Sequence, residues 1–201
     1  MNEKELFGIL ALLTALISYI FYFRSILQGV TKPHAFSWFT WGILTLIAFG
    51  VQYTHGAGAG AWSTGFVALY CFIVALLALF IGEKNIHISD WVAFVCSLLI
   101  LPFWYFTKEA LVAVILIVII DALGGYYPTF RKSYYHPRQE ALPLYGISIF
   151  QLMLSLLAME DYRLVNILYP LFIIVANAAF IAMVVWRKRS ITLPANPPET
   201  K

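Results

Sequence analysis

The sequence predicts an all-α integral membrane protein with seven transmembrane helices, arranged as two parallel three-helix bundles joined by a linker helix. Three observations lead there. Of the 201 residues, 62% are hydrophobic and 11% charged, with a mean hydropathy of +0.83; a soluble domain carries about 25% charged residues. The apolar residues form continuous runs of about 20, enough for a helix to span a hydrocarbon core of ~30 Å. They do not alternate as barrel strands do, and in lipid only helices and closed barrels satisfy their own backbone. Finally, the chain matches itself when slid by 104 residues.

The first span is Leu6 to Phe23; its stretch Leu6 to Phe21 resembles a signal peptide, but Tyr22, Phe23 and Arg24 follow where a small-residue cleavage site would stand, so it is kept as a span. The second runs from Phe36 to Tyr53, the third from Ala61 to Ile81 after a glycine-alanine turn (Gly56 to Gly60) expected to be flexible and external, and the fourth from Ile88 to Phe106. The fifth, Ala110 to Tyr127, is unbroken hydrocarbon until Asp121, and Pro128 is expected to end or kink it before a loop bearing Arg131, Lys132 and Arg138. The sixth is Leu142 to Met159 and the seventh Leu164 to Trp186. The expected units are 1–84, a linker helix 85–108, a second unit 109–189, and a disordered cytoplasmic tail 190–201 (SITLPANPPETK), polar and proline-rich.

Seven spans put the termini on opposite sides. Lys32, Lys84, Arg131, Lys132, Arg138, Arg187, Lys188 and Arg189 share one side, joined by Arg24 and Lys201, against Lys4, Lys108 and Arg163 on the other. The positive-inside rule then places the N-terminus outside and the C-terminus in the cytoplasm, the expected location being a bacterial inner (plasma) membrane. The net charge of +3 is spread over loops and serves as a topology signal, with no nucleic-acid partner expected.

The self-match aligns Pro33 with Pro137, Gly42 with Gly146, Ile43 with Ile147, Ala75 with Ala179, Ala78 with Ala182 and Lys84 with Lys188, and brings spans one to three onto spans five to seven. Both first loops are basic and both third helices end in a charged stop. Two units in the same orientation, with a fourth helix restoring parity, make a 3+1+3 parallel repeat.

Pro128-Thr129-Phe130-Arg131-Lys132-Ser133, followed by Leu144-Tyr145-Gly146, resembles the Pro-Gln loop pattern of the PQ-loop and SWEET superfamily, as do the span count, order and orientation. Thr129 stands where the glutamine would be, and Arg24 occupies the first-unit position equivalent to Pro128. Members of that superfamily carry small solutes, sugars or in related vitamin carriers a nucleoside, and a few act as cargo receptors. The resemblance implies a carrier moving a small polar solute (sugar, nucleoside, vitamin or amino-acid-like), and it likens Asn177 of the seventh span to a cavity ligand.

Asp121 is the sharpest candidate site residue, because a charge at that depth costs about 2.5 to 3.5 kcal/mol on insertion scales. Its mate in the repeat is Ile17, so the acid is peculiar to one unit. It either pairs with Arg24 or nearby tyrosines to lock helices, or forms a substrate or proton site facing a central cavity. Asn177 is a cavity ligand or an interhelical hydrogen bond. Ser148, Gln151 and Ser155 share one helical face and line a polar groove or bond to their own backbone. Trp38 and Trp62 read as an interfacial belt, whereas Trp41, one turn further in with Ser37 and Thr40, is placed in a cavity; Gln52 and Tyr70 are candidates of the same kind.

No catalytic site, metal or cofactor is expected. His34, His55, His87 and His136 sit in loops without the i, i+4 pairing of a zinc helix, and Cys71 and Cys96 read as packing residues. No strand or phosphate-binding lysine flanks the glycine-alanine turn, and no Ser-x-x-Lys or G-x-S-x-G pattern appears, so neither a nucleotide loop nor a membrane hydrolase is indicated. The last span holds no lysine for a retinal Schiff base. The expected partners are the lipid bilayer and a small-molecule solute, with a homo-oligomer left open. Hinges are expected at Gly124, Gly125, Pro128, Pro143 and Pro170, all in the second unit, so the motion of an alternating-access carrier would concentrate there. The alternative is a non-transporting receptor or structural membrane protein with a PQ-loop-like fold. Convergence of Asp121, Asn177 and Trp41 on one cavity would favour the carrier.

Overall fold

The computed structural model describes residues 2–29, 32–82, 86–135, 137 and 142–192. Lys84, His136, Arg138 and the tail beyond residue 192 lie outside them, as do the side chains of Pro128 and Lys132. The described chain is helical, with no β-strand among its residues. Helix α1 is Glu3–Leu27, α2 Ala35–Thr54, α3 Trp62–Ile81, α4 Ile88–Thr107 and α5 Ala110–Ile120; a π-helical stretch, Asp121–Tyr126, carries α5 without a break into α6, Tyr127–Tyr135, and α7 (Leu142–Leu157) and α8 (Leu164–Thr192) complete the chain. Six of these runs are long and apolar enough to cross a membrane, the mark of a helical membrane protein; α7 is a shorter apolar helix. At 16 residues it is about 24 Å long at 1.5 Å per residue.

Local chemistry sets the ends. Asn2 and Glu5 form a reciprocal cap on α1, the Asn2 side chain accepting from the Glu5 amide at 2.7 Å and the Glu5 carboxylate from the Asn2 amide at 2.9 Å. His34 begins α2 by accepting from the Ser37 amide. The apolar faces of α1, α3 and α4 point outward, with Phe21, Leu69, Phe80 and Leu99 all exposed, as a bilayer solvent requires. A core of buried apolar side chains joins α2, α5 and α8 through Leu44, Ile47, Val51, Val114, Ile117 and Tyr169.

We call α1–α3 the first triplet and α5–α8, in which α5 and α6 form one continuous run, the second. In the first, α3 lies against both α1 and α2; in the second, α8 lies against both α5–α6 and α7. Between the triplets, α1 packs on α7 and α2 on both α5 and α8. Helix α4 sits outside, against α2 and α5.

Four expectations change. Pro128 does not end its helix, which runs on to Tyr135, so Arg131 and Lys132 are helical and not in a loop. The irregularity lies upstream: the proline has no amide for the Gly124 carbonyl, and the chain widens into π turns just before it, closed by the Tyr127 amide on the Ala122 carbonyl, while Thr129 Oγ1 bonds the Gly125 carbonyl at 2.9 Å. Pro143 is the second residue of α7, in the first turn where a missing amide costs nothing, so it marks a helix start and not an interior hinge. Residues Ser190 to Thr192, assigned to a disordered tail, extend α8. The glycine-alanine turn is packed inside: Ala57, Ala59, Gly60 and Ala61 are buried, and a Cβ on Gly60 would stand 2.4 Å from Met159 Cγ.

Candidate functional site: a cavity between the triplets

A cavity of about 470 Å³ lies between the two triplets, lined by α1, α2, α3, the π stretch, α7 and α8, with no residue from α4. Of the residues singled out in the sequence, Asp121, Asn177, Trp41, Ser148 and Gln151 all line it. Asp121 is buried, at 3% exposure. One of its carboxylate oxygens accepts from Trp41 Nε1 at 3.1 Å and the other from the Tyr169 hydroxyl at 3.2 Å. The partner of the acid is thus an indole and a phenol and not Arg24, which is exposed on α1 beside a separate outer groove.

The π stretch aims this acid. A π turn holds an extra residue relative to the α-helical count, so the gapless alignment of the two units slips by one upstream of it. The match of Asp121 moves from Ile17, which is 54% exposed, to Ser18, which lines the cavity. Downstream the alignment holds: Tyr22 corresponds to Tyr126 and Trp41 to Tyr145, and all four line the cavity. Gly125 makes the pairing possible, since a Cβ there would lie 2.5 Å from Asp121 Oδ1 and 2.9 Å from Trp41 Nε1. A Cβ on Gly124 would meet Ala93 of α4 at 2.9 Å. Close approach therefore accounts for both glycines without invoking a hinge.

A second polar chain crosses the cavity wall. The Tyr126 hydroxyl donates to Asn177 Oδ1 at 2.8 Å, and Asn177 Nδ2 to Ser148 Oγ at 3.2 Å, tying the π stretch, α8 and α7 together. Gln151 Nε2 donates to Ser63 Oγ at 2.9 Å, joining α7 to α3. Tyr70 does not reach the cavity; its hydroxyl donates to the Tyr19 carbonyl at 2.9 Å and its ring stacks on Tyr19, beside the outer groove. Trp38 departs the other way. It lines the cavity, packed edge-on against Trp41, instead of forming an interfacial belt, whereas Trp62 at the start of α3 is 42% exposed.

The two ends of the cavity differ. One end is lined by Lys32, Pro33 and His34 before α2 and by Leu144 and Tyr145 near the start of α7. The opposite end is closed by a knot of polar bonds around residues 52–60 and 155–166. Pro170 in α8 leaves the Asn166 carbonyl without its helical partner, and Gln52 Nε2 takes it at 3.1 Å. Asn166 Nδ2 donates to the carbonyls of His55 and Asp161, both at 3.0 Å, and Arg163 Nη2 to the His55 carbonyl at 2.9 Å. Ser155 Oγ bonds the Gly60 carbonyl at 2.7 Å, and Lys4 reaches the Met159 carbonyl and lies over the Tyr162 ring. Gln52 and Ser155, read as cavity candidates, belong to this closure. In the same connection the Arg163 amide, 2.8 Å from Asp161, holds that carboxyl below its ordinary value.

Tyr169 and Tyr126 are site residues that the sequence does not single out, and Trp38 is one that it assigns to the membrane interface. Tyr126 could have been found from its match with Tyr22; Tyr169 carries no such signal, since Gly65 is its equivalent. No group of histidine, cysteine or acidic residues that could hold a metal occurs among the described residues. Comparison of the chain with protein-family models, with curated proteins and with solved structures found no match.

Proposed function

We propose that the protein is a seven-helix membrane carrier that moves a small polar solute by alternating access between its two helix triplets, with α4 as the linker that restores parity. The observation that carries the reading is the convergence of Asp121, Trp41 and Asn177, from three helical segments of both triplets, on one cavity lying between them. Ionisable groups at such depth commonly mark a solute or ion path, which favours a carrier over a receptor or scaffold. With the basic connections on the cytoplasmic side, the end bearing Lys32 and His34 would be the inner mouth of the cavity, and the knot around Gln52 and Asn166 the outer closure. Flexing of α5–α6 at the π stretch and of α8 at Pro170 would open that closure while the first triplet moves as a unit.

A thermal-shift screen of the purified protein against sugars, nucleosides, amino acids and vitamins tests this reading, because a ligand present at 100 times its dissociation constant adds about 2.7 kcal/mol of stability. A hit that also enters proteoliposomes against an impermeant control supports the carrier. Binding without flux would leave a receptor.

A further inference from the structure

We infer that the cavity binds a small organic monocation, an ammonium or similar nitrogen cation, with Asp121 as its counter-charge and the surrounding rings as its cage; the inference rests on the cavity being a solute site. Asp121 accepts two hydrogen bonds from neutral donors, Trp41 and Tyr169, and neither supplies positive charge. An ionised carboxylate has about four acceptor positions, so capacity remains on both oxygens. No lysine or arginine among the described residues pairs with it. The one lysine of the lining, Lys32, is exposed and stands before α2, and His34 beside it faces Asp90 at 3.6 Å. Among the described residues, the inner part of the cavity thus holds one acidic group and no basic group paired with it.

The wall around that charge is aromatic. Trp41 meets Trp38 edge-on at 5.5 Å, and Trp38 meets Tyr22 at 5.1 Å; Tyr19, Tyr126 and Tyr145 also line the space. Ring faces attract cations, and a cage of them favours ammonium groups. A metal ion is the poorer fit, because hard cations need six to eight oxygen ligands, and about 470 Å³ is far larger than an ion. A neutral sugar would use the rings and hydroxyls, and would leave the carboxylate's charge uncompensated. Asn177 and Ser148, already bonded to each other, offer the solute a polar contact on the second triplet.

The test uses the full-length protein in detergent and two probes of equal shape: choline, and its uncharged isostere 3,3-dimethylbutan-1-ol. Calorimetric titration should give choline an affinity at least about tenfold higher, a difference of ~1.4 kcal/mol. Asp121→Asn keeps the shape and an acceptor oxygen and should remove that preference; the comparison of the two probes on the wild-type chain needs no variant and stands even if this one fails to fold. Equal affinities, absence of choline binding, or a preference that survives Asp121→Asn would each overturn the inference. Failure of the carrier reading would show elsewhere, as bound choline that never crosses a proteoliposome membrane.

Discussion

The two triplets share a packing order and even matching wall residues, Tyr22 with Tyr126 and Trp41 with Tyr145, yet they divide the work unequally. The first is built of regular helices with no proline inside them; the second has a π stretch, Pro170 within α8, and the one buried acid of the cavity. The difference teaches how chemistry is added to a wall of regular helices. One extra residue in a helical turn shifts the register, so that Asp121 of the π stretch faces the cavity, as Ser18 of α1 does, and not outward as Ile17 does. Two small residues, Gly124 and Gly125, then let α4 and Trp41 approach the widened turn.

The sharpest way to break this comparison is to substitute equivalent positions in the two triplets. Gly125→Ala forces a Cβ between Asp121 and Trp41 and should cost about 2 to 3 kcal/mol, whereas its first-triplet counterpart Phe21→Ala, on a side chain 63% exposed, should change stability by no more than about 0.5 kcal/mol. Denaturant unfolding in detergent, followed by helix content, measures both. Similar losses would mean that the π stretch is not organised around the acid.

A second test concerns the acid itself. Asp121→Asn should cost about 1 kcal/mol through weakened bonds from Trp41 and Tyr169. Because Arg24 is not the partner, adding Arg24→Gln should contribute independently, with a coupling energy within about 0.3 to 0.5 kcal/mol of zero in a double-mutant cycle. Recovery of stability in the double variant would restore the Asp121–Arg24 lock. Next in size, Tyr126→Phe strips a bond from Asn177 and should cost roughly 0.5 to 1.5 kcal/mol, with Tyr22→Phe costing less; the same unfolding curves rank them.

The smallest effect is expected at Asp161, a half-buried acid outside the spans. Its carboxyl is held low by the Arg163 amide, so the charged form stabilises the fold above the ordinary carboxylate range and that contribution fades as pH falls through the folded-state value. The gap between wild type and Asp161→Asn should be slight at neutral pH and should close on acidification. A gap that widens in acid would reverse the sign.

Much of this was legible in the sequence because the strongest constraints were local or periodic. Run lengths set the helices to within a few residues, except at the end of α8, which runs past Trp186 to Thr192, and where Pro128 was read as a stop; a proline near a π turn continues a helix because the carbonyl it cannot serve is already displaced from the regular ladder. Asp121, Asn177 and Trp41 stood out because polar or amphipathic groups inside apolar runs are costly or conspicuous. Tyr169 did not, since a tyrosine in a membrane helix carries no visible penalty. Gln52 was misplaced for a related reason. Its function depends on the carbonyl that Pro170 frees at Asn166, more than a hundred residues away, and no spacing rule connects them.

The central claim, that the site between the triplets is reached alternately from the two sides of the membrane, is tested most directly by labelling. Ser148→Cys, in a chain with Cys71 and Cys96 replaced by alanine, would be treated with a membrane-impermeant maleimide in sealed vesicles of each orientation. The account predicts modification from the face bearing Lys32 and His34, and slower modification from the opposite face as the knot around Gln52 and Asn166 opens. Labelling confined to one face, however long the exposure, would contradict it.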